Sequence, residues 1–114
     1  MKIIYISIVT TLFIALSQAV YADVASETIA LVKNAKADCL NCHKIDKKIV
    51  GPAWKDVADR YKGDATAHDT LVERVIKGSR GQWSDQTGGL PMTPHPVKPT
   101  KEEVDQIVAS ILKL

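Results

Sequence analysis

The two cysteines of this chain stand three residues apart and are followed at once by a histidine, in Cys39-Leu40-Asn41-Cys42-His43. They are the only cysteines in its 114 residues. A disulfide between them would close too short a loop to restrain the unfolded chain usefully. A zinc site would want two more ligands, and no further cysteine exists to supply them. A thioredoxin-like dithiol would need strands for its βαβ scaffold, whereas the periodic segments here read as helix. The spacing is that of c-type haem attachment, in which both thiols add to haem vinyl groups and the adjacent imidazole is delivered to iron. Two thioethers would fix the porphyrin edge against the chain, so His43 reaches the metal from one face, as the proximal ligand.

The N-terminus bears on where this chemistry takes place. Lys2 precedes an apolar run from Ile3 to about Leu16, and small residues end at Val20-Tyr21-Ala22. This is the layout of a secretory signal peptide, expected over 1–22 with cleavage after Ala22, or alternatively after Ala19. As a retained anchor the run falls short of the ~20 apolar residues a spanning helix needs, and Ser7, Thr10 and Thr11 interrupt it. The expectation is one exported domain over 23–114, without stable membrane insertion after cleavage. Removing the leader takes Lys2 from the 15 basic residues and nothing from the 13 acidic ones. The mature chain is nearly neutral, which disfavours nucleic-acid binding.

The remaining periodic segments all read as helix. Val24, Thr28, Leu31, Val32 and Ala35 recur at helical spacing with Asp23 as a candidate N-cap, giving a first helix over about 24–37. Pro52 suits the first turn of a second helix with Trp54, Val57, Ala58 and Tyr61 on one face and Gly63 as its stop. A third begins near Ala67 or Asp69, turns Leu71, Val72, Val75 and Ile76 inward and ends at Gly78. The last opens with the capping box Thr100-Lys101-Glu102-Glu103 and continues as a stripe of Val104, Ile107, Val108, Ile111 and Leu112. Residues 79–99 read as a loop longer than is usual without a functional reason. A mature chain of roughly 90 residues would struggle to build a core alone; a haem supplies a rigid apolar body to pack around.

The chain resembles the class I cytochromes c, in particular the small periplasmic monohaem carriers of the cytochrome c five-five-one type. The likeness covers nearly all of the mature chain and rests on four stretches in the family's order. They are Cys39 to His43, Ile49-Val50-Gly51-Pro52-Ala53, Gly78-Ser79-Arg80-Gly81-Gln82-Trp83 and Leu90-Pro91-Met92-Thr93-Pro94. It implies an all-α class I cytochrome c fold of four or five short helices wrapped around one covalent haem c. It further implies that Met92 is the distal iron ligand, that Pro52 offers its carbonyl to the free nitrogen of His43, and that Arg74 and Trp83 hydrogen-bond a haem propionate. Two features depart from the family: the loop is lengthened at Ser84 to Gly89, and His95 stands where an asparagine often supports the methionine sulfur.

The residues agree on Met92 independently, since the only other methionine is Met1, lost with the leader. A lone methionine is otherwise a core gap-filler, but Pro91 and Pro94 stiffen the backbone around this one. His95 is the rival ligand. His68 reads as solvated, and Trp54 and Tyr61 as core aromatics. With His43 and Met92 both bound, iron would have six ligands in either oxidation state, which describes an electron carrier rather than an enzyme. A thioether ligand and apolar burial would give it a positive potential. Redox proteins would dock transiently on a monomer at the haem edge, with Lys36, Lys44, Lys47 and Lys48 as candidate contacts or else an ordinary solvated face. The alternatives are an electron-accepting subunit of a dehydrogenase, for example a sulfite-oxidising one, and a haem enzyme or ligand sensor with an open sixth position.

Overall fold

The computed structural model describes the backbone of residues 2–114 and the side chains of residues 15–114. Most of the apolar run assigned to the leader therefore lies outside the described side chains. The elements follow in the order α1 (Lys2–Asn34), a 3-10 turn (Cys39–Asn41), α2 (Trp54–Arg60), α3 (Ala67–Lys77), α4 (Ser84–Thr87) and α5 (Lys101–Ile111). Among the described residues, β pairing is confined to two isolated bridges, and no helix is long and apolar enough to cross a membrane.

α1 corrects the expected first helix at both ends. It runs unbroken through Asp23, which therefore caps nothing, because the preceding residues contain neither glycine nor proline to interrupt the helix. At the other end it stops at Asn34 rather than near Ala37. Lys36 adopts the left-handed conformation with φ 52°. The Lys36 N–H donates to Lys33 O and the Ala37 N–H to Val32 O, the two bonds of a Schellman cap. The chain is thereby turned off the helix axis two residues before Cys39.

α5 is the centre of the packing and contacts α1, α2 and α3. Ile107 and Ile111 join Val32, Trp54 and Val57 in one buried cluster, while Val104 and Val108 meet Val72 in a second. Each fully buried aliphatic side chain contributes about 1.5–3 kcal/mol. Between α1 and α5 the Thr28 and Ser110 hydroxyls meet at 2.5 Å, both essentially without solvent contact. Thr28 gives its proton to Val24 O, so Ser110 is the donor in the pair. The capping box of α5 forms as expected, with Thr100 accepting from the Glu103 N–H and Glu103 accepting from the Thr100 N–H.

The second helix starts later than expected. Ala53 is its N-cap with ψ 141°, and Trp54 is its first residue. Pro52 is thus held outside the helix, where its carbonyl is free to turn inward. α3 ends at Gly78 with φ 78°. The 79–99 stretch, expected as pure loop, contains the single turn of α4, closed by Gly88 in the left-handed conformation.

Candidate cofactor site

Helices and the 79–99 loop line a cavity of about 320 Å³ whose walls include Cys39, Cys42, His43 and Met92, within the size range of pre-formed small-molecule sites. His43 is buried, and its Nδ1 lies 2.8 Å from Pro52 O. A carbonyl can only accept, so Nδ1 carries the proton and Nε2 keeps its lone pair. Burial favours the neutral imidazole, against the opposing pull of the Pro52 bond. The ring is boxed on two further sides. Trp54 stacks on it at 5.7 Å between centroids and 18° between planes, and Gly51 approaches so closely that a Cβ there would lie 2.5 Å from His43 Cε1.

Met92 comes from the opposite side of the sequence by a different device. The Ser79 N–H donates to Met92 O at 3.1 Å and the Met92 N–H to Ser79 O at 2.8 Å, a two-bond bridge that closes the 79–92 loop at its neck. Val57, Leu71, Val75, Val108 and Ile111 line the space between. Burial, with Asp38 and Cys42 adding, raises the Cys39 thiol above its usual range and keeps it protonated. Cys42 is exposed at the rim. Among the described residues no group of three or more His, Cys, Asp or Glu side chains is placed to hold a metal ion. One imidazole nitrogen and one thioether on an apolar cavity, with two thiols at its edge, form a donor set that fits a haem attached through cysteines.

Residues 30–114 match the cytochrome c family. The chain belongs to that family, as a class I monohaem cytochrome of the c-551/c-552 type. It is 43% identical over 84 residues to cytochrome c-551 of Allochromatium vinosum, a span covering 74% of this chain and 84% of that protein. It is 44% identical over 73 residues to cytochrome c-551 of Pseudomonas aeruginosa, covering 64% of each. Among solved structures it is similar to wild-type cytochrome c552 of Nitrosomonas europaea, with a TM-score of 0.64, 32% identity and coverage of 75% of this chain and 98% of that one. The family identifies the protein as an electron carrier with covalently bound haem c, and the all-α expectation holds.

The cytochrome brings the residues singled out in its sequence to one place. Cys39, Cys42, His43, Pro52, Arg74, Trp83 and Met92 all line the cavity. The Arg74 guanidinium donates to the Tyr61 hydroxyl, so Tyr61 is more than a core aromatic. His95 lines the same cavity, with its ring Nδ1 3.8 Å from Asp38 Oδ1 and its backbone N–H donating to Val75 O. His68 is not simply solvated: it bridges α3 to the Asp105 carbonyl of α5 at 3.1 Å. Trp54, read as a core residue, is both core and a wall for His43. The roles of Gly51 and of the Ser79–Met92 bridge have no helical or strand period to announce them, because a close approach between segments leaves no local pattern; their place in the family-like stretches is the signal that marks them.

Proposed function

We propose that the protein is a periplasmic one-electron carrier in which Cys39 and Cys42 hold one haem c by two thioethers and His43 and Met92 are the axial ligands. The observation that carries this reading is the convergence of a buried imidazole, its Nδ1 proton held by Pro52, and the Met92 side chain on one apolar cavity. When bound, the haem supplies an iron that exchanges one electron between its ferric and ferrous states. The chain does the rest. Pro52 fixes the His43 tautomer and ring plane, in the manner of outer-shell partners of metal-bound histidine. The Ser79 bridge holds the Met92 backbone. The aliphatic walls exclude water and disfavour the additional ferric charge, which supports a positive potential. Arg74 and Trp83 supply donors for the propionates.

The same reading places cleavage after Ala22 and export to the periplasm, on the strength of the leader pattern. Cys42, Lys47, Lys48, Ile49 and Val50 are all exposed, and Lys48 pairs with His43 beside Cys42, which brings basic and apolar side chains to the attachment segment. This suits brief docking of a monomer on acidic redox partners, with rates that fall as salt rises. Lys44 is less available, since its Nζ donates to Leu40 O.

The purified ferric protein is expected to show the charge-transfer band of methionine-bound iron and, once reduced, to resist carbon monoxide. Ready carbon monoxide binding would overturn the carrier reading. One observation favours a second ligand arrangement: His95 lines the same cavity as Met92. Met92→Ala separates the two, lowering the potential and opening the iron to added ligands if Met92 is bound, and leaving the spectrum unchanged if His95 is.

A further inference from the structure

Arg60, the last residue of α2, makes three contacts with one short stretch of the 79–92 loop. Its guanidinium carbon lies 3.4 Å from the centre of the Trp83 ring. Nη1 donates to Gln82 O at 2.5 Å, and Nη2 is 3.9 Å from Asp85 Oδ1. Gln82 and Trp83 line the cavity and Arg60 does not, so Arg60 braces this wall from behind. Between Arg80 and Pro91, the other hydrogen bonds of the described residues run within the loop: Gln86 and Thr87 to Trp83 O, Gly88 to Ser84 O, Leu90 to Thr87 O, and Ser84 Oγ to Gly81 O. The loop is pinned at its neck by Ser79 and Met92, and among the described residues the Arg60 bond to Gln82 O ties its middle to the helical frame.

We infer that Arg60 is a positioning residue that acts on the haem through Trp83, fixing the indole plane and so aiming its Nε1–H into the cavity. The inference rests on the haem reading above. A planar guanidinium can stack on an aromatic face while its edge donates to a carbonyl; a lysine ammonium keeps the charge and loses the plane. The ion pair with Asp85 is exposed and long, so it adds little. The stack and the bond to Gln82 O carry the geometry. A cation on one ring face also favours the indole as a donor to an anionic group, which supports a higher reduction potential.

The test uses the haem-loaded protein and three variants, Arg60→Met, Arg60→Lys and Asp85→Asn. Solvent exchange of the Trp83 indole N–H is followed by NMR in the reduced protein, beside the midpoint potential. Arg60→Met should speed that exchange by about ten-fold through local opening and lower the potential, with haem content and the methionine band intact. Arg60→Lys should recover part of the potential and none of the slow exchange, and Asp85→Asn should resemble the parent in both. Parent-like exchange in Arg60→Met, or in Arg60→Lys, overturns the inference. Should Arg60→Met fail to accumulate, Arg60→Lys decides alone on the same criterion. A parent protein without covalent haem would instead overturn the functional reading, which keeps the two failures apart.

Discussion

Ser79 and Met92 exchange both of their backbone hydrogen bonds, at 3.1 and 2.8 Å, and this pair fixes the Met92 backbone at the wall of the cavity. The residue before Ser79 makes the approach possible. Gly78 has φ 78°, and a Cβ on it would lie 2.8 Å from Met92 O and 3.1 Å from Pro94 Cδ. Gly78→Ala therefore meets backbone strain and a backbone clash together. We expect a loss of about 1–3 kcal/mol in denaturant unfolding and a weakened methionine charge-transfer band. A variant with parent stability and an unaltered band would show that the bridge does not position Met92.

Gly51 stands in the same relation to the other candidate ligand. A Cβ there would sit 2.5 Å from His43 Cε1 and 2.9 Å from Nδ1, and the imidazole cannot retreat without losing Pro52 or pressing on Trp54. Gly51→Ala should cost about 1–3 kcal/mol, as overpacking of a tight site does, and should lower the haem recovered per chain. Pyridine haemochrome assay beside thermal melting measures both, and parent values in each would dismiss the steric argument.

The buried hydroxyl pair of α1 and α5 predicts an asymmetry. Thr28→Val leaves the Ser110 hydroxyl buried without its acceptor, at a cost of about 1–3 kcal/mol. Ser110→Ala leaves Thr28 still donating to Val24 O and should cost less. The double variant should be more stable than Thr28→Val alone. Equal single-variant losses in a double-mutant cycle would contradict the donor assignment.

His68 makes stability depend on pH. Its Nδ1 faces Asp69 Oδ1 at 3.2 Å and its Nε2 faces Asp105 O at 3.1 Å. Both partners are acceptors, so only the imidazolium satisfies both, and the pKa rises above its ordinary value through the bond to Asp69 first and to Asp105 second. A raised folded-state pKa gives stability that is full below the unfolded value near 6.5 and is lost as pH rises through the folded value. The effect is modest because the side chain is 39% exposed. Urea unfolding at a series of pH values should show this contribution fading above neutrality in the parent and missing in His68→Gln. Parallel profiles would remove His68 as the cause.

The helices were largely legible because their signals are local. The boundary of α3 at Gly78 and the capping box at Thr100 and Glu103 formed where the pattern put them. Errors fell where tertiary bonds compete with local preference. Pro52 was expected inside α2, yet its carbonyl is claimed by His43, which holds Ala53 extended and delays the helix to Trp54. Asp23 is a different case, a local one: expected to cap α1, it lies inside the helix because the residues before it continue the same helical run.

The chemistry is legible in the residues alone: two thiols and an imidazole at a spacing that serves haem attachment, a single methionine beyond Met1, and helices to wrap the group. How these residues are held follows instead from the folded chain, because it depends on close approaches between turns and loops that no helical or strand period records. The Gly51 contact with His43, the Ser79 bridge to Met92 and the Arg60 brace behind Trp83 are all of this kind.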